Sequence, residues 1–256
     1  MIKLGVCTDI KNIGKVAAAG FDYLEAGFSR IARMSEEEYD EAVKLVDAAP
    51  IKVEACNGMV PGDIKLTGPD VNAQVIHDYL DIAFKRAARL GVKVVVFGSG
   101  AARAVPEGFD TAQAWRQISN FLRMAERHAA EYDINIAIEP LRAAECNIMN
   151  YVSEATLMAA LVQMPHVGAL ADTYHMALGS EPFSAIKMAG SLLMHVHTAN
   201  AIGRVCPKKG DGEKYTELFD TLKSINYQGR VSIEGAIKDF DNDIIAGFEV
   251  LNEARA

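Results

Sequence analysis

The sequence lacks any pair of cysteines close enough to form a local metal or redox motif. Cys7, Cys56, Cys146 and Cys206 are scattered through 256 residues with no C-x-x-C spacing. In so large a chain this points to reduced thiols in a reducing compartment, not to a disulfide framework. Cys7, Cys56 and Cys146 fall near the ends of predicted strands, where a buried small apolar side chain is the expected role. Positive charge is also scarce: 26 Lys and Arg face 34 Asp and Glu, for a net charge of −8. That balance argues against the basic patch that a nucleic-acid partner requires, so no such partner is expected. No apolar run approaches the ~20 residues of a membrane span. The opening Met-Ile-Lys-Leu-Gly-Val runs straight into a strand pattern, without the basic start and apolar stretch of an export leader. A cytoplasmic location is therefore expected. Gly-Ser-Gly at 98–100 is not followed by the glycine spacing of a dinucleotide-binding turn, so no such cofactor is expected. Linkers, low-complexity tracts and shifts of composition are missing too, which leaves 1–256 as a single expected domain.

What is present is a half-hydrophobic chain with ample material for one core. Short apolar runs at 3–8, 22–27, 52–57, 92–98, 134–139, 167–172, 192–198 and 229–234 read as eight strands. Their continuous β-branched character suits parallel strands buried on both faces. Helical patterns fill the gaps. Ser35-Glu-Glu-Glu38 is a capping box that opens one helix. Over 71–90, Val71, Val75, Tyr79, Ile82, Ala83, Ala87 and Leu90 recur at helical spacing, and Gly91 follows as a stop. Trp115, Ile118, Leu122 and Ala125 mark a helix over 111–131, and shorter ones fit 153–163, 183–190, 214–225 and 240–254. Eight strand–helix units in a chain of this length predict an α/β fold, a single (β/α)₈ TIM barrel.

Active sites of such barrels gather at the C-terminal ends of the strands. There the sequence puts Glu139 after Ile138, Asp172 after Ala171, His197 after Val196 and Glu234 after Ile233. An unpaired carboxylate at the end of an apolar strand is costly to bury. Four such residues on consecutive strands converge in space, and a divalent cation is a common partner for all of them. The oxygen-rich donor set favours Mn²⁺ or Mg²⁺, with Co²⁺ also suited. A buried salt-bridge network is the alternative. It would need Arg or Lys inside the mouth, and Arg142 and Arg204, both on loops, are the nearest.

Ile-Glu-Pro-Leu at 138–141, Asp-Thr-Tyr-His-Met at 172–176, His-Val-His at 195–197 and Ser-Ile-Glu at 232–234 resemble the xylose-isomerase-like TIM-barrel superfamily, and within it the ketose 3-epimerases. The resemblance implies a sugar isomerase or epimerase that removes a proton next to a carbonyl through an enediolate. It implies one divalent ion at Glu139, Asp172, His197 and Glu234, with Glu139 and Glu234 also handling the proton. It implies substrate contacts for Glu145, six positions after Glu139, and for His175, three after Asp172. The resemblance also implies a substrate contact for Arg204, although it stands seven positions after His197 and Ala199-Asn200-Ala201-Ile202-Gly203 replaces the family's usual approach to this arginine. Arg142 stands where the epimerases often carry Asn; it either reads an acidic or phosphorylated substrate or is a solvated loop residue. A small-molecule sugar is the implied partner, and relatives are often dimers or tetramers.

His195 lies one layer below His197 and is either a group behind that metal ligand or, as expected, a core histidine. Glu25, ending strand two, either points into the mouth or, as expected, is a structural residue near the barrel rim, and His77, His128 and His166 are expected to be surface residues. The loop Lys208–Gly212 either covers the site or is solvated. Three other activities belong to the same scaffold: an inosose-dehydratase-like lyase, an endonuclease IV-like phosphodiesterase and a non-catalytic sugar-binding barrel. The phosphodiesterase would need histidines where strand three ends in Ala-Cys-Asn-Gly and strand four in Val-Phe-Gly-Ser.

Overall fold

The β-branched runs all become strands in the computed structural model, which describes residues 1–256. The strands are β1 Lys3–Cys7, β2 Tyr23–Gly27, β3 Val53–Asn57, β4 Val94–Phe97, β5 Asn135–Ile138, β6 Val167–Asp172, β7 Leu193–Thr198 and β8 Arg230–Ile233. Each pairs in parallel with its neighbours in chain order, and β8 returns to β1 to close the barrel. Between them run α1 Ile13–Ala18, α2 Phe28–Arg33, α3 Glu36–Ala48, α4 Ala73–Leu90, α5 Gly100–Arg103 and α6 Thr111–Ala130. The second half adds α7 Val152–Val162, α8 Thr173–Leu178, α9 Ser184–Ala189, α10 Tyr215–Ser224 and α11 Phe240–Arg255. No helix is long and apolar enough to cross a membrane.

Local chemistry sets the helix ends. The Ser35 side chain accepts from the Glu38 backbone N–H, and Glu38 accepts from the Ser35 N–H in return. Gly91 ends α4 at φ 99°, a left-handed conformation that only glycine adopts without strain. The buried face of α4 matches the expected one at Ala83, Ala87 and Leu90 and departs from it elsewhere. Ile76, Leu80, Ala83, Phe84, Ala87 and Leu90 face the barrel, whereas Val75 and Ile82 lie about half exposed.

Two apolar layers hold the fold. The larger fills the space between sheet and helices. The smaller fills the barrel interior with Tyr23, Ala55, Val94, Val96, Ala137 and Leu170. This plug closes the lower barrel and leaves the C-terminal strand ends as a polar cup. All four cysteines are free; Cys56, Cys146 and Cys206 are buried, and Cys7 is half-buried at the end of β1. Two histidines depart from expectation. His128 is buried against Phe84, with the rings stacked 6.5 Å apart. His166 is half-buried, its Nδ1 3.2 Å from the Glu126 carboxylate.

Candidate active site

Four strand ends bring Glu139, Asp172, His197 and Glu234 together, with one ligand-type atom of each within 4.8 Å of the others. His197 is fully buried, and its Nδ1 lies 3.2 Å from both Glu139 Oε1 and Glu234 Oε2. Asp172 splits its two oxygens. Oδ1 accepts from the Tyr174 N–H and caps α8, which leaves Oδ2 facing the cluster.

The electrostatics show a shortage of positive charge. Burial, followed by repulsion from Glu139 and Glu234, pushes Asp172 up to about 7. Burial and Glu234 also raise Glu139. Glu234 is desolvated too, but its attraction to His197 and Arg204 outweighs that and holds it at about 2. Burial opposes a charge on His197, yet Glu25 and then Glu234 and Glu139 override it and hold the imidazolium form well above the usual range. A compact set of three carboxylates and one imidazole with more negative than positive charge fits a hard or borderline divalent cation, which would have to displace the Nδ1 proton.

Arg204 enters this site despite its loop origin. The chain after β7 folds back through an antiparallel bridge between Asn200 and Val205, with Gly203 and Arg204 both at positive φ (84° and 48°). The turn aims Arg204 Nη2 at Glu234 Oε2 (2.5 Å) and Asp172 Oδ2 (3.4 Å), and its guanidinium lies 4.6 Å from the centre of the Tyr174 ring. The longer offset from His197 therefore still delivers an arginine to the mouth. One arginine does not balance three carboxylates.

His175 is buried, and the tautomer of its ring can be assigned. The Arg142 backbone N–H donates to Nδ1 at 3.2 Å, so in the neutral ring the proton sits on Nε2. Burial and Arg204 hold His175 down at about 4, which keeps it neutral. Nε2 has no hydrogen-bond partner and lies 3.5 Å from Asp172 Oδ2 and 4.0 Å from Glu145 Oε2. Glu145 is tied by Arg142 Nε at 2.6 Å and lies 3.8 Å from Arg204 Nη1. Arg142 is thus engaged with Glu145 rather than free in water.

Several residues of the site were not singled out in the sequence. Asn57, at the end of β3, donates to Glu234 Oε1 at 3.1 Å. Alternation along β3 could have found it. Arg103 is fully buried and donates to the backbone carbonyls of Phe97 and Glu139. Nothing in its short helix announces that. Glu25 does not sit at the rim. It is fully buried beneath His197, and its carboxylate takes His197 Nε2 at 2.9 Å and His195 Nε2 at 2.8 Å. His195 is buried as expected, with Glu25 as its partner. The loop Lys208–Gly212 lines a surface hollow with α11 residues, apart from the carboxylate cluster.

Known proteins similar to this chain include sugar epimerases. A stretch of 127 residues is 31% identical to the 3-dehydro-D-guloside 4-epimerase of Escherichia coli, covering 49% of this chain and 48% of that one. The chain thus matches about half the length of that relative. D-psicose 3-epimerase of Enterocloster bolteae is 25% identical over 236 residues, 88% of this chain and 75% of that one. The crystal structure of D-allulose 3-epimerase from Methylomonas sp. superposes with a TM-score of 0.86 at 20% identity, over 99% of this chain and 97% of that one, which establishes the shared fold. The family model described as xylose isomerase-like TIM barrel matches residues 13–254, and the chain belongs to that family.

Proposed function

We propose that this protein is a divalent-metal-dependent sugar epimerase or isomerase that moves a proton on the carbon next to a ketone. The observation that carries the reading is the meeting of Glu139 and Glu234, from β5 and β8, on either side of His197 Nδ1. The relatives support it. Psicose epimerised at C3 and a 3-dehydro-guloside epimerised at C4 both change configuration at a carbon beside a carbonyl.

Glu139, Asp172, His197 and Glu234 would hold the cation, with Mn²⁺ the best match to the donors and Mg²⁺ or Co²⁺ also suited. Bound there, the ion supplies a Lewis acid that polarises the carbonyl and lowers the cost of negative charge on the neighbouring oxygens. One of the two glutamates removes the proton, leaving an enediolate, and the other returns a proton to the opposite face. Return to the same carbon inverts it. Removal of the proton from C1 with return to the former carbonyl carbon, C2, interconverts ketose and aldose. The His175 Nε2–H is free to donate to a substrate oxygen, Glu145 to accept from a hydroxyl, and Arg204 to stabilise developing charge. A ketose is the substrate class this set fits. The strand ends that a three-metal phosphodiesterase would furnish with histidine carry Asn57 and Gly98.

The test is proton NMR in D₂O with Mn²⁺-loaded protein and a panel of ketoses and aldoses. Deuterium should enter a carbon next to the carbonyl as a new sugar forms. Glu139→Gln and Glu234→Gln should each abolish turnover; near-normal rates in both would sink the mechanism. Loss of water to give an enone would identify a lyase instead.

A further inference from the structure

Beneath His197 lies a chain of polar groups that turnover itself does not use. Glu25, on β2, is fully buried and pairs in register with Cys7 of β1 and Ala55 of β3. Its Oε1 lies 2.9 Å from His197 Nε2. Its Oε2 lies 2.8 Å from His195 Nε2 and 2.5 Å from Ser232 Oγ. Ser232 in turn lies 2.6 Å from the Tyr23 hydroxyl. An ionised carboxylate can only accept. The donors are therefore fixed: both histidines give their Nε2 protons to Glu25, Ser232 gives its hydroxyl proton, and Tyr23 donates to Ser232.

The consequence falls on the opposite nitrogen of His197. A ring whose Nε2 proton is committed to Glu25 presents Nδ1 upward, toward Glu139 and Glu234. Ring orientation and tautomer are set together, and the carboxylate makes Nδ1 a stronger donor. Glu25 cannot swing aside, because His195 and Ser232 hold its second oxygen and the apolar plug of Tyr23, Ala55 and Leu170 lies below.

We infer that Glu25 is a positioning residue that locks His197 with Nδ1 toward the cation, through a brace running Tyr23–Ser232–Glu25–His197. This rests on the metal reading proposed above. It assigns Glu25 no contact with substrate and no share in the proton transfer.

The experiment compares wild type with Glu25→Gln by Mn²⁺ titration followed by electron paramagnetic resonance, and by ¹⁵N-edited NMR of the imidazole N–H groups. In the variant, Mn²⁺ should bind about 10–100-fold more weakly, the range typical of a lost outer partner. The solvent-protected His197 Nε2–H signal of wild type should move upfield and exchange faster, because a neutral amide oxygen is a weaker acceptor than a carboxylate, while the far-ultraviolet circular dichroism stays that of a folded barrel. Unchanged affinity with an unchanged Nε2–H signal would overturn the inference, as would a loss of affinity that leaves that signal intact. If Glu25→Gln does not fold, Ser232→Ala removes one strut of the brace and should weaken Mn²⁺ several-fold; unchanged affinity there would equally overturn it. A wild type that takes up no Mn²⁺ would instead defeat the metal reading, and the Nε2–H signal would still decide whether Glu25 fixes the ring.

Discussion

Glu139 is held by neighbours on both sides of its strand end. Arg103 donates to its backbone carbonyl at 2.7 Å, and His197 Nδ1 lies 3.2 Å from its carboxylate. Across the β4–β5 pair, Gly98 leaves room for that carboxylate: a Cβ at position 98 would collide with Glu139 Oε2. Gly98→Ala should therefore push the Glu139 side chain out of the cluster. We expect Mn²⁺ affinity and turnover to fall at least tenfold while the thermal midpoint moves little; an alanine variant with wild-type affinity would show that the carboxylate can yield. Glu139, Asp172, His197 and Glu234 were visible in the sequence because each is an ionisable residue at the C-terminal end of an apolar run. Glu25 was visible only as an acid inside Tyr-Leu-Glu-Ala-Gly, where nothing local separates the rim from the layer below. Arg103 was hidden altogether, since its partners are backbone carbonyls.

Among the elements, α4 shows the limit of periodicity. Two apolar stripes overlap along its length, one through Val75 and Ile82 and one through Ile76, Leu80 and Phe84. Spacing admits both, and packing against α2 and α6 selects the second. Phe84→Ala should cost about 3–5 kcal/mol of stability, the range for emptying a buried aromatic site. Val75→Ala should stay within about 0.5 kcal/mol. Urea denaturation of the two variants decides the register, and equal losses would contradict it. The loop after β7 shows a different limit. Its sequence offers only an arginine one place late, and the turn that returns it to Glu234 depends on a bridge from Val205 to both Asn200 and Ala236. That pairing is tertiary, so no local pattern could reveal it.

At the scale of the whole molecule, the barrel was legible because parallel strands buried on both faces leave predominantly apolar runs, eight times over. Strand ends were read to within two residues, the outermost positions lacking ladder partners. Closure then places the four carboxyl-terminal strand ends of β5 to β8 side by side, and the apolar plug beneath them denies their carboxylates water from below. A cation bound by folded protein and not by unfolded chain adds to stability by mass action, about 2.7 kcal/mol at a hundredfold excess over its dissociation constant. With a cation held by Glu139, Asp172, His197 and Glu234, as proposed, binding and folding would be linked through those four residues.

The most direct measurement of the central claim is a Mn²⁺ titration of metal-stripped protein by electron paramagnetic resonance, repeated on Asp172→Ala and His197→Ala. One tight site per chain is expected in the wild type, and its loss in both variants, each still folded. Several equivalent weak sites, or one tight site that survives both substitutions, would contradict it.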